Sequence, residues 1–221
     1  MTFRVYAFDA YGTLFDVHSA VARHRDAIGP QAERLSDIWR TKQLEYTWVR
    51  TLTGRYRDFR ALTAEALDFA AARCGGISAD ARSKLLEAYE TLAAYGDVRP
   101  ALSALKARGA RTAILSNGTP DMLASAVAAA GISDLLDACL SVDDLRMFKT
   151  SADVYALVGE RFGVAPSYVS FQSSNRWDIA GASAFGFRTV WINRTGQPDE
   201  YGDMPAAKTL TSLEPLAQLD A

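Results

Sequence analysis

The spacing of hydrophobic residues divides this chain into three stretches. The first is Phe3-Arg4-Val5-Tyr6-Ala7-Phe8, an apolar, β-branched and aromatic run with the length of a buried strand. The second is helical. Leu35, Ile38, Trp39, Tyr46 and Val49 recur at three, four and seven, one face of an amphipathic helix. Phe59, Leu62, Ala66, Phe69 and Ala70 resume that spacing after Gly54, up to a stop at Cys74-Gly75-Gly76. Ser78 can cap a further helix that buries Leu85, Leu86, Tyr89 and Leu92 and ends near Gly96. No strand pattern occurs between about 16 and 95.

In the third stretch strands and helices alternate. Pro100 suits the first turn of a helix running to Gly109, and Arg111-Thr112-Ala113-Ile114-Leu115 is a short strand ending at Ser116-Asn117-Gly118. Thr119-Pro120-Asp121 starts a helix that Gly131 closes. Further strands fall at 138–142, 168–172 and 188–192, with helices at 151–162 and 177–185 between them. This alternation predicts an α/β fold with a mostly parallel sheet of five or six strands, covered on both faces. A helical segment over 15–96 stands apart from a core expected to comprise 1–14 and 97–221. The tail after Asn193 is the least patterned part.

Composition changes this picture little. A formal net charge of −2 offers no basic excess for nucleic acid. Cys74 and Cys139 are too few for a disulfide framework and lack metal-ligand spacing. No charged-then-apolar leader precedes the first strand and no apolar run reaches about eighteen residues. A cytoplasmic protein without membrane contact is expected.

The candidate chemistry sits where strands end. Asp9 directly follows the first strand, and in an open parallel sheet the carboxyl ends of all strands share one rim. Asp9, Ser116-Asn117 and Ser173-Asn175 should meet there, with Lys149 joining from the side. Gly12 permits a sharp turn, and Thr13 offers a hydroxyl beside the carboxylate. Asp9 reads as a nucleophile, acid or base, or as a strand-ending turn residue. Arg40 shares a helix face with Leu44 and Trp48. It is either held among apolar groups for use or paired with Asp37, three residues away. Spacing does not choose between them. His18 and His24 have no ligand partner nearby in the chain.

Asp9-Ala10-Tyr11-Gly12-Thr13-Leu14-Phe15-Asp16 resembles the first motif of the haloacid dehalogenase superfamily, in its L-2-haloacid dehalogenase branch. The resemblance returns at Leu115-Ser116-Asn117-Gly118, Phe148-Lys149 and Ser173-Ser174-Asn175-Arg176-Trp177-Asp178, and covers nearly the whole chain. It implies a Rossmann-like core, an inserted helical cap, no cofactor and no metal. The implied reaction turns short (S)-2-haloalkanoates into (R)-2-hydroxyalkanoates plus halide: Asp9 attacks C2, and water then cleaves the Asp9 ester. By the same resemblance Lys149 favours the charged form of Asp9, while Ser173, Asn175 and Asp178 orient Lys149, the nucleophile and the water. Thr13 and Tyr155 match supporting positions, Tyr155 also being counted among the substrate-binding groups. Ser116 and the helix start after Asn117 would take the substrate carboxylate. Arg40, Asn117 and Trp177 match the halide cradle, although Trp177 reads equally as a core aromatic. Tyr11, Leu44, Phe59 and Trp48 would line the pocket. Similar enzymes are commonly dimers, so a homodimer is expected, with a 2-haloacid and halide as the small-molecule partners.

Two positions depart from the family pattern. Thr150 replaces the proline that usually follows the lysine, removing a rigid constraint. Gln172 stands where the fourth strand usually has an apolar residue, and inside the core it needs a hydrogen-bond partner. Two other readings stay open. A phosphatase of the same fold needs Mg²⁺ and a second acid at position 11, where this chain has Tyr11. A homologue that only binds small anions keeps the pocket without the turnover.

Overall fold

In the computed structural model, which describes residues 3–219, the chain opens on strand β1 (Val5–Phe8). Helices α1 (Ser19–Arg23), α2 (Arg25–Ile28), α3 (Ala32–Leu52), α4 (Phe59–Arg73) and α5 (Ala79–Glu90) follow. Then come α6 (Val98–Ala107), β2 (Arg111–Ser116), α7 (Pro120–Ala129), β3 (Ala138–Ser141) and α8 (Ala152–Phe162). The chain ends with β4 (Val169–Ser173), α9 (Arg176–Phe185), β5 (Arg188–Ile192) and β6 (Lys208–Leu210). The strands pair in parallel in the order β3-β2-β1-β4-β5-β6. The fold is thus the expected α/β one, with six strands. β1 is buried throughout and lies between two neighbours, which its uninterrupted Val-Tyr-Ala-Phe run permits.

Side-chain caps account for three helix starts. The Asp58 carboxylate accepts the Ala61 N–H at 2.8 Å to begin α4, and the Ser78 hydroxyl accepts that of Ala81 at 3.1 Å to begin α5. Thr119 caps α7, with Pro120 at its first position. α5 ends at Glu90, short of Gly96, because the returning chain runs antiparallel to the outgoing one. Asp16 N–H donates to the Ala93 carbonyl at 2.8 Å, and Tyr95 N–H to that of Leu14 at 3.0 Å. β6 escapes the sequence reading because its three mostly exposed residues are too few to show a period.

α3 departs from its expected face. The buried side chains are Ala32, Leu35, Ser36, Trp39, Gln43 and Thr47, whereas Val49 is 51% exposed. Buried positions in its second half are polar, so counting apolar residues follows the wrong stripe. Among the described residues no helix is long and apolar enough to cross a membrane.

Arg194, just beyond β5, fastens both crossings between the sheet and the helical segment. Its guanidinium donates to both Asp97 oxygens at 2.9 and 3.0 Å and to the Thr13 carbonyl at 3.0 Å. It also stacks on Tyr95 at 4.0 Å from the ring centre. Asp97 in turn accepts the Leu213 N–H at 2.8 Å. Both members of the pair are largely buried, so removing one leaves an uncompensated charge. Asp97→Ala should therefore lower unfolding free energy by about 3 kcal/mol, measured by urea titration. A loss within about 0.5 kcal/mol would show that water replaces the carboxylate freely.

Candidate active site

Asp9 extends the β1 ladder by one bond, its N–H donating to the Gln172 carbonyl at 2.9 Å. Because β1 lies between β2 and β4, the carboxyl ends of those strands flank it, where an open α/β sheet forms its crevice. Gly12 turns the chain away at φ +95°, and a Cβ there would come within 3.2 Å of Ser174 Oγ.

The two oxygens of Asp9 are held differently. Oδ2 accepts Asn175 Nδ2 at 2.7 Å, Thr13 Oγ1 at 2.9 Å and Ser173 Oγ at 3.4 Å. Oδ1 accepts Lys149 Nζ at 3.0 Å. The Thr13 hydroxyl is set by the Ser174 N–H, which donates to it at 2.8 Å, and Ser173 Oγ receives the Asn175 N–H at 3.1 Å. Four of the residues expected at the rim thus converge on one carboxylate.

Lys149 is fully buried and makes a second ion pair, donating to Asp178 Oδ2 at 2.8 Å. The other Asp178 oxygen receives the Tyr155 hydroxyl at 2.7 Å. Burial pulls the lysine down, but the Asp178 and Asp9 carboxylates together outweigh it and hold the ammonium above its ordinary value. Asp178 shares that one ammonium with Asp9. Burial, countered only in part by Lys149 and reinforced by the Asp9 charge, pushes its carboxyl up to about 6. Two carboxylates around one cation explain why both partners rise.

Other expected residues fall around this centre. Arg40 donates to the Tyr11 carbonyl at 3.0 Å, to Asn175 Oδ1 at 3.2 Å and to Gln43 Oε1 at 2.8 Å. Asp37 instead lines a separate cavity with His18, Arg25 and Glu33. Ser116 is buried and its oxygen accepts the Gly118 N–H at 3.1 Å, which leaves its O–H to donate elsewhere. Asn117 Oδ1 accepts the Lys149 N–H at 3.0 Å and so fixes the lysine's backbone. Phe59 is buried against the Tyr11 ring, 5.4 Å between centres, and Leu44 is half-buried one turn after Arg40. Trp177, half-buried, meets Trp48 edge-on at 5.6 Å, and the pair lines an open cavity of about 770 Å³ that reaches Lys149.

Tyr155 requires a correction. The resemblance sets it among the substrate-binding residues, but it is fully buried behind Asp178 and its hydroxyl is engaged there, because α8 packs it among Phe171, Phe185 and Phe187. Burial pushes that hydroxyl well up, so it stays a donor. The two departures from the family pattern lie beside the site, and Gln172 is only half satisfied. Lys149 reaches both carboxylates with Thr150 next to it, across a cis peptide bond. Gln172 donates to Ser170 Oγ at 2.6 Å, while its Oε1 stays buried without a partner. Among the described residues no three His, Cys, Asp or Glu side chains group as a metal site requires. Gln43 and Arg194 went unnoticed in the sequence. The one available signal for Gln43 was a polar residue three places after Arg40 on the buried side of α3.

Replacing Lys149 by methionine strands two buried carboxylates, and the variant should lose about 3 to 5 kcal/mol of unfolding free energy. Asp178 already sits above an unfolded carboxyl, so its favourable contribution exists when protonated and is lost as pH rises through the folded value. Without the ammonium that value climbs further. The deficit of Lys149→Met should be smallest near about pH 5 and grow toward about pH 8, read by urea unfolding at both. An equal deficit at both would show that Lys149 does not offset the Asp178 charge.

Residues 3–186 match the family of haloacid dehalogenase-like hydrolases. The chain is 51% identical over 217 residues to (S)-2-haloacid dehalogenase 1 of Pseudomonas sp. (strain CBS-3), spanning 98% of this chain and 96% of that protein. It is 47% identical over 219 residues to (S)-2-haloacid dehalogenase 4A of Burkholderia cepacia, spanning 96% and 93%. A solved structure of L-2-haloacid dehalogenase from Xanthobacter autotrophicus, with chloropropionic acid covalently bound, superposes with a TM-score of 0.92. That match is 36% identical and covers 99% of this chain and 98% of the other. Alike in sequence and backbone over most of its length, the chain belongs to the haloacid dehalogenase-like hydrolases.

Proposed function

We propose that this protein hydrolyses short (S)-2-haloalkanoates to (R)-2-hydroxyalkanoates and halide through an ester on Asp9. One observation carries the reading: Asp9 Oδ2 is held by up to three neutral donors, while Oδ1 has a single partner, Lys149. Oδ1 keeps the lone pair for attack on C2 opposite the carbon–halogen bond, so the electron pair of that bond leaves with the halide. The result is an ester whose carbonyl oxygen is Oδ2. Water then adds to the Asp9 carboxyl carbon, and the negative charge that develops on Oδ2 meets Thr13, Ser173 and Asn175 already in place. Cleavage of the acyl–oxygen bond returns the Asp9 carboxylate and releases the hydroxyacid, with C2 inverted once.

The proton of the water passes to Asp178, whose raised carboxyl suits a base near neutrality. Ser116 O–H and the backbone at the start of α7 take the substrate carboxylate, and Arg40 with Trp177 and the Asn117 amide receives the departing halide. Tyr11, Leu44 and Phe59 supply apolar wall, and Tyr155 holds Asp178. In this reading the helical segment 15–96 acts as a cap that carries Arg40 over a core of 1–14 and 97–221. The exposed Trp48, Val49 and Leu52 at the end of α3 suit a homodimer contact. Two free cysteines suit the reducing cytoplasm.

Chloride release from (S)-2-chloropropionate should proceed unchanged in EDTA and fall at least about a thousandfold in Asp9→Asn. Wild-type-like turnover by that variant would remove Asp9 from the chemistry. Because Asp178 accepts a proton only when ionised, and the ester removes the Asp9 charge that helps raise its carboxyl to about 6, decay of the ester in single turnover should slow as pH drops below about 6. A flat profile across that range would exclude Asp178 as the base.

A further inference from the structure

One buried polar residue beside the site has no role in the steps described above. Gln43 lies one turn after Arg40 on α3 and is 1% exposed. An amide placed there is unfavourable unless every polar atom finds a partner. Both ends do. Nε2 donates to Thr63 Oγ1 at 2.7 Å, and Oε1 accepts Arg40 Nη1 at 2.8 Å and the Tyr89 hydroxyl at 3.1 Å.

The surrounding donors dictate which way the amide faces. The Thr63 hydroxyl donates to the Phe59 carbonyl at 2.7 Å, so it offers Gln43 a lone pair and selects the NH₂ end. Burial pushes the Tyr89 hydroxyl up, so it remains a donor and needs the oxygen. Oε1 is thereby turned to Arg40 by residues of α4 and α5, and one guanidinium is tied to three helices.

The remaining acceptors of Arg40 are the Tyr11 carbonyl and Asn175 Oδ1, both neutral. Asn175 stands between the guanidinium and Asp9, spending Nδ2 on the carboxylate and Oδ1 on Arg40. Neutral oxygens direct the arginine without cancelling it, whereas a carboxylate would do both. We propose that Gln43 is a positioning residue: it aims Arg40 at the space above Asp9 while leaving its positive charge free for an anion. It thereby sets how tightly the site holds halide. The inference rests on the preceding reading, in which Arg40 meets the leaving halide.

Two variants of the full-length protein test it, with sodium bromide as the probe of anion binding by calorimetry. Gln43→Glu keeps the shape and both acceptor contacts but sets a negative charge against Arg40. Bromide affinity should fall about tenfold or more, and KM for (S)-2-chloropropionate should rise with it. Gln43→Leu removes the aim and keeps the charge. Bromide affinity should fall by about threefold, less than in Gln43→Glu, while kcat drops about tenfold. A merely structural glutamine would lower the melting temperature of both variants and leave these two constants alone. Wild-type bromide affinity in folded Gln43→Glu overturns the proposal. If that variant does not fold, an unchanged kcat in Gln43→Leu does so. A parent enzyme that neither binds bromide nor releases chloride overturns the preceding reading as well, whereas one that releases chloride confines any failure to Gln43.

Discussion

The rim of the sheet is organised around one buried ammonium shared by two carboxylates. Lys149 Nζ lies 3.0 Å from Asp9 and 2.8 Å from Asp178, with no exposed side-chain surface of its own. At such distances and an effective dielectric near 20, each attraction is worth about 6 kcal/mol before desolvation. Desolvation removes several kcal/mol per ion, so a single pair would come out near even. Two attractions put the lysine well ahead, and one shared ammonium leaves Asp178 behind. The same count that keeps the lysine charged makes Asp178 receptive to a proton, and in the proposed reaction that is the asymmetry a base beside a nucleophile needs.

That arrangement is assembled from four separate pieces of chain. The end of β1 supplies Asp9, the loop before α8 supplies Lys149, and the start of α9 supplies Asp178 and Asn175. The helical segment supplies Arg40, which touches the sheet through the Tyr11 carbonyl and Asn175. Parallel pairing makes the first three converge without any long loop. The fourth relies on the two crossings of chain at Leu14–Asp16 and Ala93–Tyr95, held together by their own hydrogen bonds and by Arg194.

Most of this was legible from the chain because it obeys periodic rules. Apolar runs of strand length followed by Asp, Ser-Asn or Ser-Ser-Asn located the rim, and Thr119-Pro120 located a helix start with its cap. What escaped has a common character. Gln43, Thr63 and Tyr89 form a polar contact set within an otherwise apolar interior, and a search for apolar periodicity passes over such residues. Arg194 and Asp97 are 97 positions apart, and an ion pair across that separation leaves no local pattern. Tyr155 was placed near the site by resemblance, but its side of Asp178 is a matter of how α8 packs on Phe171 and Phe187. Periodicity reports which face is buried; it does not report which buried atoms meet.

The residue at position 11 shows how firmly the branch of the family is built into the packing. A phosphatase would carry a second acid there, free to reach a leaving group. Here the ring stacks on Tyr89 at 5.6 Å with 17° between planes and packs on Phe59 and Phe15. It also presses on the turn after β2, where a Cβ on Gly118 would lie 2.8 Å from the Tyr11 ring. Burial pushes the Tyr11 hydroxyl well up, and that oxygen has no hydrogen-bond partner. An aspartate at position 11 would leave its carboxyl among three aromatic rings with a ring-sized void beside it. Position 11 is therefore not an isolated side chain at the rim. Its packing extends through Phe59, Tyr89 and Gly118 into the way the helices sit on the sheet.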